Sequence, residues 1–169
     1  MVRRKKKPRV CCFGAGRMGR GIAICFAFAG YQVALIDSRH RKNWIDFKKK
    51  TSQEISETFT MMASFDMLNF ATIPVLLDRI SYIKHEDASE ALSRSNFIFE
   101  AVPETEEAKR VAFNKIEANI DVSIVVASTT STFLPELIAK WCVNPERIIN
   151  AHFLNPAYLV PVVEVSPNE

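Results

Sequence analysis

A strand that runs straight into three glycines and then into a helix permits few folds, and this chain opens its apolar part with such a stretch, Val10-Cys-Cys-Phe-Gly14-Ala-Gly16-Arg-Met-Gly19. Val10 to Phe13 is the short apolar run of a buried strand, and Met18, Ile22, Ile24, Cys25 and Phe28 recur at helical spacing just after the glycines. In a strand–turn–helix unit each glycine has its own task. Gly14 turns the chain sharply, Gly16 lets backbone approach a pyrophosphate with no Cβ between, and Gly19 lets the helix pack close to the strand. The free amides at the helix start then attract the anion. Glycine-rich turns also serve flavins, methyl donors and purely structural bends, so the next strand carries the choice. Tyr31 to Asp37 alternates and ends in an acid 18 residues past Gly19. A carboxylate there accepts hydrogen bonds from ribose hydroxyls and repels a 2′-phosphate, which favours NAD over NADP. Arg39, His40 and Arg41 read as a solvated loop; the alternative is that the cluster holds a phosphate and the site tolerates NADP.

Beyond Asp37 the pattern keeps alternating. Residues 42–78 hold no glycine and one proline, and their apolar residues, spaced three or four apart, predict two helices broken around residues 60–66. Arg79 to Lys84, Asn96 to Val102, Ser123 to Ala127 and Arg147 to His152 read as strands. Ala88 to Ser93, Glu104 to Ile120 and Leu134 to Trp141 read as the helices between them, with Ala108, Val111, Phe113, Ile116 and Ile120 on or near one face of the longest. Tyr158 to Pro167, interrupted by Pro161, suits an edge strand. The expectation is an α/β, Rossmann-type, doubly wound and mostly parallel sheet with a helical-hairpin insertion after the second strand. Within that insertion the Met and Phe residues around Met61 to Phe70 read as core, with contact to an acyl or pantetheine chain as the alternative. Lys48, Lys49 and Lys50 read as a solvated face rather than a seat for coenzyme A phosphates.

With 169 residues, 48% of them hydrophobic, the chain can bury one sizeable core. Residues 1–9 hold six of its 22 basic residues and read as a basic flexible tail, leaving residues 10–169 as one slightly acidic domain. A terminal charge run of this kind is a solvated arm and does not imply nucleic-acid binding. No signal peptide is expected, nor a membrane span, because the apolar run from Ile22 to Phe28 is too short. Cys11, Cys12, Cys25 and Cys142 lack the spacing of a zinc site or a disulfide frame, and neighbours Cys11 and Cys12 point to opposite faces of their strand. They are expected to fill core in a reducing, cytoplasmic setting, with no metal.

In sheets of this type ligands lie beyond the carboxyl ends of the strands, where this chain puts Gly14 to Gly19, Asp37, Glu100 to Glu104, Ser128 to Ser131 and His152 to Asn155. Oxidising a secondary alcohol needs a group that takes the hydroxyl proton as hydride leaves carbon, and histidine suits that work near neutral pH. His152 is the candidate, with Glu164 on the next strand able to bond the distal ring nitrogen and fix its tautomer. His40 and His85 lie in polar loops.

These residues give the chain its family likeness. Gly14-Ala-Gly-Arg-Met-Gly-Arg-Gly-Ile-Ala23, Glu100-Ala-Val-Pro-Glu104 with Lys109, Ser128-Thr-Thr-Ser131, and His152-Phe-Leu-Asn-Pro156 followed by Val162-Val-Glu-Val165 together resemble the NAD-binding domain of the L-3-hydroxyacyl-CoA dehydrogenase family. The resemblance implies His152 as general base, Glu164 as its partner and Ser131 against the substrate oxygen and the nicotinamide. Around NAD it implies Gly14, Ala15, Gly16, Arg17, Met18, Gly19 and Asp37 at the nucleotide end, and Glu104, Lys109, Ser131 and Asn155 at the nicotinamide end. It also implies an acyl-CoA substrate, contact of the helical insertion with coenzyme A, and a second, all-helical domain, absent from this chain, that carries another active-site Asn and much of a homodimer interface. Two departures stand out: Thr129 where the family commonly has Asn, and the Pro156 to Glu164 run, whose Tyr158 and Pro161 look like relatives acting on carnitine or sugar acids. Three functions are therefore carried forward: NAD-dependent oxidation of a 3-hydroxyacyl-CoA to the 3-oxoacyl-CoA, the same chemistry on a free hydroxy acid such as carnitine, and a non-catalytic nucleotide-binding or structural protein. The domain alone is expected to bind NAD with little turnover.

Overall fold

The computed structural model describes residues 8–168. Of the expected tail, residues 1–7 lie outside that range, and Arg9 already belongs to the first strand. The chain runs β1 (Arg9–Phe13), α1 (Arg17–Phe28), β2 (Gln32–Ile36), α2 (Trp44–Ser64), α3 (Ile73–Asp78), β3 (Ile80–Ile83), α4 (Ala88–Ser93), β4 (Phe97–Glu100), α5 (Glu106–Glu117), β5 (Val125–Ser128), α6 (Pro135–Ala139), β6 (Ile148–Phe153) and β7 (Val163–Pro167), with short 3-10 turns before α3, α4 and β6. The strands form one sheet in the order β3-β2-β1-β4-β5-β6-β7, parallel except for β7. The expected doubly wound sheet with a helical insertion is thus present. Its direction of winding reverses between β1 and β4, and the loops leaving those two strands part there to make a crevice.

Strand alternation builds two separate cores. Val10, Cys12, Val33, Leu35, Phe99, Ala127 and Phe153 face α1, α2 and α3. Cys11, Phe13, Ala34, Ile36, Ile98, Val126 and Ile148 face α4, α5 and α6. Cys11 and Cys12 thus fill opposite cores, and burial lifts the Cys11 thiol to about 12, which leaves it inert. On the first face Phe99 packs edge-on to Phe153 with ring centroids 5.5 Å apart and also meets Phe26 and Phe97, joining β4, β6 and α1.

Helix starts follow local chemistry. The Asn43 side chain accepts the Asp46 amide at the head of α2, the Thr105 hydroxyl accepts the Ala108 amide at the head of α5, and prolines open α3 and α6. The insertion breaks within the expected stretch: α2, seated on the core by Ile55, Phe59 and Met62, ends at Ser64 and the chain turns at Asp66, whose φ is +59°, but the second helix is shorter than expected and starts only at Ile73. The Met and Phe stripe divides, with Phe59 and Met62 buried and Phe65, Met67 and Phe70 exposed. Val111 faces solvent rather than the core. The last strand is shorter than expected, since the segment before Val163 forms a turn and an extended arm instead. No helix among the described residues is long and apolar enough to cross a membrane.

Candidate active site

The turn after β1 is built by close contact. Gly14 sits at φ +121° and its amide donates to the Ile36 carbonyl at 2.9 Å. A Cβ on Gly14 would lie 2.4 Å from the Ala101 carbonyl oxygen, and one on Gly19 would lie 1.8 Å from the Gly14 carbonyl oxygen. Both positions therefore reject any side chain. Gly16 differs: nothing lies within 4 Å of where its Cβ would be, because it caps α1 at the open edge of the crevice. Space left over the first amides of a helix is what a diphosphate requires. The expected cradle residues Gly14, Ala15, Gly16, Arg17 and Met18 line the crevice, and Gly19 stands behind Gly14.

That crevice, about 580 Å³, also collects Asp37, Glu104, Ser131, His152 and Asn155, from the ends of β2, β4, β5 and β6. It brings together ten of the residues singled out from the sequence. Gly19, Lys109 and Glu164 back it. A smaller crevice of about 400 Å³ shares Ser38, Arg39, Val102 and Pro103 with it and runs on toward Val111 and Lys115.

His152 and Glu164 face each other directly in the antiparallel β6–β7 pairing. Imidazole Nδ1 lies 2.7 Å from Glu164 Oε2, with the histidine side chain 26% exposed and the glutamate 65% exposed. A ring nitrogen that donates to the carboxylate leaves Nε2 with its lone pair. The strand pairing, rather than a loop, sets this geometry.

At the end of β4 an anionic cluster is held from below. Glu100 is wholly buried, and its carboxylate accepts from the Val102 amide at 2.8 Å, the Ser128 hydroxyl at 2.6 Å and the Lys109 ammonium at 3.0 and 3.2 Å. The same ammonium reaches Glu104 Oε2 at 3.2 Å. Burial works against ionisation of Glu104, but the Thr130 and Thr132 hydroxyls and Lys109 outweigh it and hold the carboxyl at about 2. Glu104 Oε1 also accepts the Ser131 amide at 3.2 Å, which fixes the loop that presents the Ser131 hydroxyl to the crevice. Lys109 is thus placed under Glu104 instead of in the crevice wall. Sequence reasoning assigned no role to Thr130 or Ser128, although their positions just past a strand end were the available signal.

The basic cluster after Asp37 is solvated at Arg39 and His40, as expected, but not at Arg41. Arg41 Nε donates to Asp37 Oδ2 at 2.5 Å and its Nη2 to Oδ1 at 3.3 Å, while its guanidinium carbon lies 4.1 Å from the Phe47 ring centroid. His40, also exposed, pairs with Glu86, and Arg39 is exposed with no carboxylate partner among the described residues. Asp37 and Arg41 lie four apart but in a loop, where that spacing carries no helical signal.

Comparison with known proteins places these features in context. The family model described as "3-hydroxyacyl-CoA dehydrogenase, NAD binding domain" matches residues 9–169. The chain is 28% identical over 162 residues to the human lambda-crystallin homolog, covering 94% of this chain and 48% of that protein. It is 29% identical over 157 residues to L-carnitine dehydrogenase of Bacillus cereus, covering 93% and 45%. Among solved structures, 3-hydroxybutyryl-CoA dehydrogenase from Escherichia coli K12 superposes with a TM-score of 0.81 at 28% identity, over 94% of this chain and 32% of that one. The chain spans about half, or less, of the length of these relatives.

Proposed function

Because the chain belongs to the 3-hydroxyacyl-CoA dehydrogenase family through its NAD-binding domain, we propose that it serves an enzyme that oxidises an L-3-hydroxyacyl-CoA to the 3-oxoacyl-CoA, with His152 as the base. NAD is the cofactor of this domain, and the glycine turn fits it: Gly16 leaves open the space over the helix start that a side chain would fill. Bound NAD supplies a hydride acceptor. The chain's residues supply the proton chemistry and the placement. The hydroxyl proton of the substrate passes to His152 Nε2 as the carbon–hydrogen bond breaks, and the resulting imidazolium is stabilised by the Glu164 carboxylate on Nδ1. Ser131 donates its hydroxyl to the substrate oxygen, and Glu104 with Asn155 fixes the nicotinamide end, Lys109 acting on it through Glu104.

One observation carries the proposal: the imidazole, held from behind by its carboxylate partner, lines the same crevice as the glycine turn. A second reading keeps the mechanism and replaces the thioester with L-carnitine; the likeness to the B. cereus L-carnitine dehydrogenase and the Tyr158 to Pro161 run favour it. We place turnover in the domain joined to the family's all-helical partner domain, which would exclude water from the crevice and pair two subunits. Following NADH absorbance with 3-hydroxybutyryl-CoA, L-carnitine and L-gulonate in such a protein separates the readings. The first predicts turnover of the thioester, and NAD binding without turnover of any of the three contradicts every enzymatic reading. His152→Gln is expected to lower kcat by about 10²- to 10⁴-fold, the usual worth of a positioned general base, while leaving the NAD dissociation constant unchanged. An unchanged kcat removes His152 from the role.

A further inference from the structure

We propose that Arg41 sets the choice between cofactors at the ribose end of the crevice, and that by neutralising Asp37 it lets the site accept NADP as well as NAD. This rests on the cofactor assignment of the crevice and is independent of the chemistry proposed for His152. An acid at the end of β2 rejects a 2′-phosphate by charge, since the phosphate brings roughly −1.5 to −2 at neutral pH. Here that acid is not alone. Asp37 is 2% exposed, both its oxygens are engaged by the Arg41 guanidinium, and Oδ1 also accepts the Arg39 amide at 3.2 Å.

The guanidinium is held on a second side by the Phe47 ring, with its carbon 4.1 Å from the ring centroid, so its orientation is fixed before any ligand arrives. Nε and Nη2 serve Asp37, which leaves the Nη1 amine, on a side chain one-third exposed, directed away from that pairing. Arg39 stands at the junction of the two crevices, lining both, with no carboxylate partner among the described residues; Ser38 lines both as well. His40 hydrogen-bonds Glu86. Beside the ribose end Arg41 and Arg39 outnumber the one carboxylate of Asp37, the reverse of what that acid alone would produce. A 2′-phosphate placed beside Asp37 would meet the Nη1 amine of Arg41, the Arg39 guanidinium and the Ser38 hydroxyl, a donor set suited to phosphate oxygens.

Calorimetric titration of the chain with NAD and with NADP, at low and physiological salt, tests this. The readout is the ratio of the NADP to the NAD dissociation constant for the wild type, Arg41→Ala and Arg41→Lys. The expected wild-type ratio is below about 20; in Arg41→Ala it rises about fivefold or more, while NAD binding changes by less than about threefold, the scale of losing one charge-assisted contact. NADP binding should weaken with salt more steeply than NAD binding in the wild type, and that difference should shrink in Arg41→Ala. Arg41→Lys keeps the charge and should stay nearer the wild-type ratio than Arg41→Ala does. A wild-type ratio above 20, or a ratio in Arg41→Ala that rises less than fivefold, overturns the proposal. Equal loss of both cofactors in both variants would make Arg41 a brace for the loop and overturns it too. Failure to bind NAD at all would instead strike the cofactor assignment.

Discussion

A lysine ammonium with only 1% of its side chain exposed is tolerable only between carboxylates, and Lys109 sits between Glu100 and Glu104. Removing one partner of such a buried group leaves an uncompensated charge. Lys109→Met should therefore destabilise the fold by about 3–5 kcal/mol in chemical denaturation, whereas an exposed control, Lys48→Met, should cost about 0.5 kcal/mol or less. Equal effects would show that the cluster is not held together by charge. Glu104 makes a pH prediction with a definite sign. Its folded-state carboxyl is held at about 2, below the roughly 4.3 of an unfolded glutamate, so the stability it contributes is complete above about pH 5 and lost as pH falls toward 2. Glu104→Gln should lower stability at pH 7 and flatten the acid side of the stability curve between pH 5 and 2; a variant whose curve keeps the wild-type slope there contradicts the assignment. Glu104 and Lys109 were visible in the sequence as a pair spaced five apart. Their burial difference was not, because it depends on how far α5 starts beyond the end of β4.

The βαβ unit at the start of the chain was the most legible element, since its strand, its glycines and its helix follow one another directly along the chain. Gly16 and Gly19 can be separated experimentally. A Cβ at Gly19 would overlap the Gly14 carbonyl, while one at Gly16 meets nothing. Gly19→Ala should destabilise the fold by about 1–3 kcal/mol, the usual cost of forcing extra atoms into a packed place, seen as a fall of about 3–10 °C in Tm. Gly16→Ala should leave Tm near the wild-type value and weaken NAD binding. The opposite pattern in thermal melts and NAD titrations would contradict the roles given to the two glycines. The helical insertion was less legible. Apolar spacing marks helical periodicity but not where a helix starts: α2 ends at Ser64, inside the expected break, while the second helix begins only at Ile73. The Asp37 to Arg41 loop misled more, since an i, i+4 acid–base pair outside a helix has no periodic signature and reads like ordinary solvated charge.

At the scale of the whole molecule, the sheet works as a partition. Two cores that share no side chain lie on its faces, and the glycine turn, the acid cluster and the His152–Glu164 pair all stand at one end of it. That shared end follows from parallel strands alternating with helices, so the meeting of Gly14, Glu104, Ser131 and His152 could be anticipated from strand order alone. The pairing of His152 with Glu164 was legible as a candidate from its place on the next strand, but which residues face each other is set by the register of the antiparallel β6–β7 pair. The central claim is that a dinucleotide gripped at Gly16 places its redox ring beside His152. Nuclear magnetic resonance titration of the chain tests it directly, following the Gly16 amide and the His152 ring. NAD should move both signals, while ADP-ribose, which lacks the nicotinamide, should move Gly16 and leave the ring signal of His152 much less changed. A His152 ring that does not respond to NAD while Gly16 does would contradict the account.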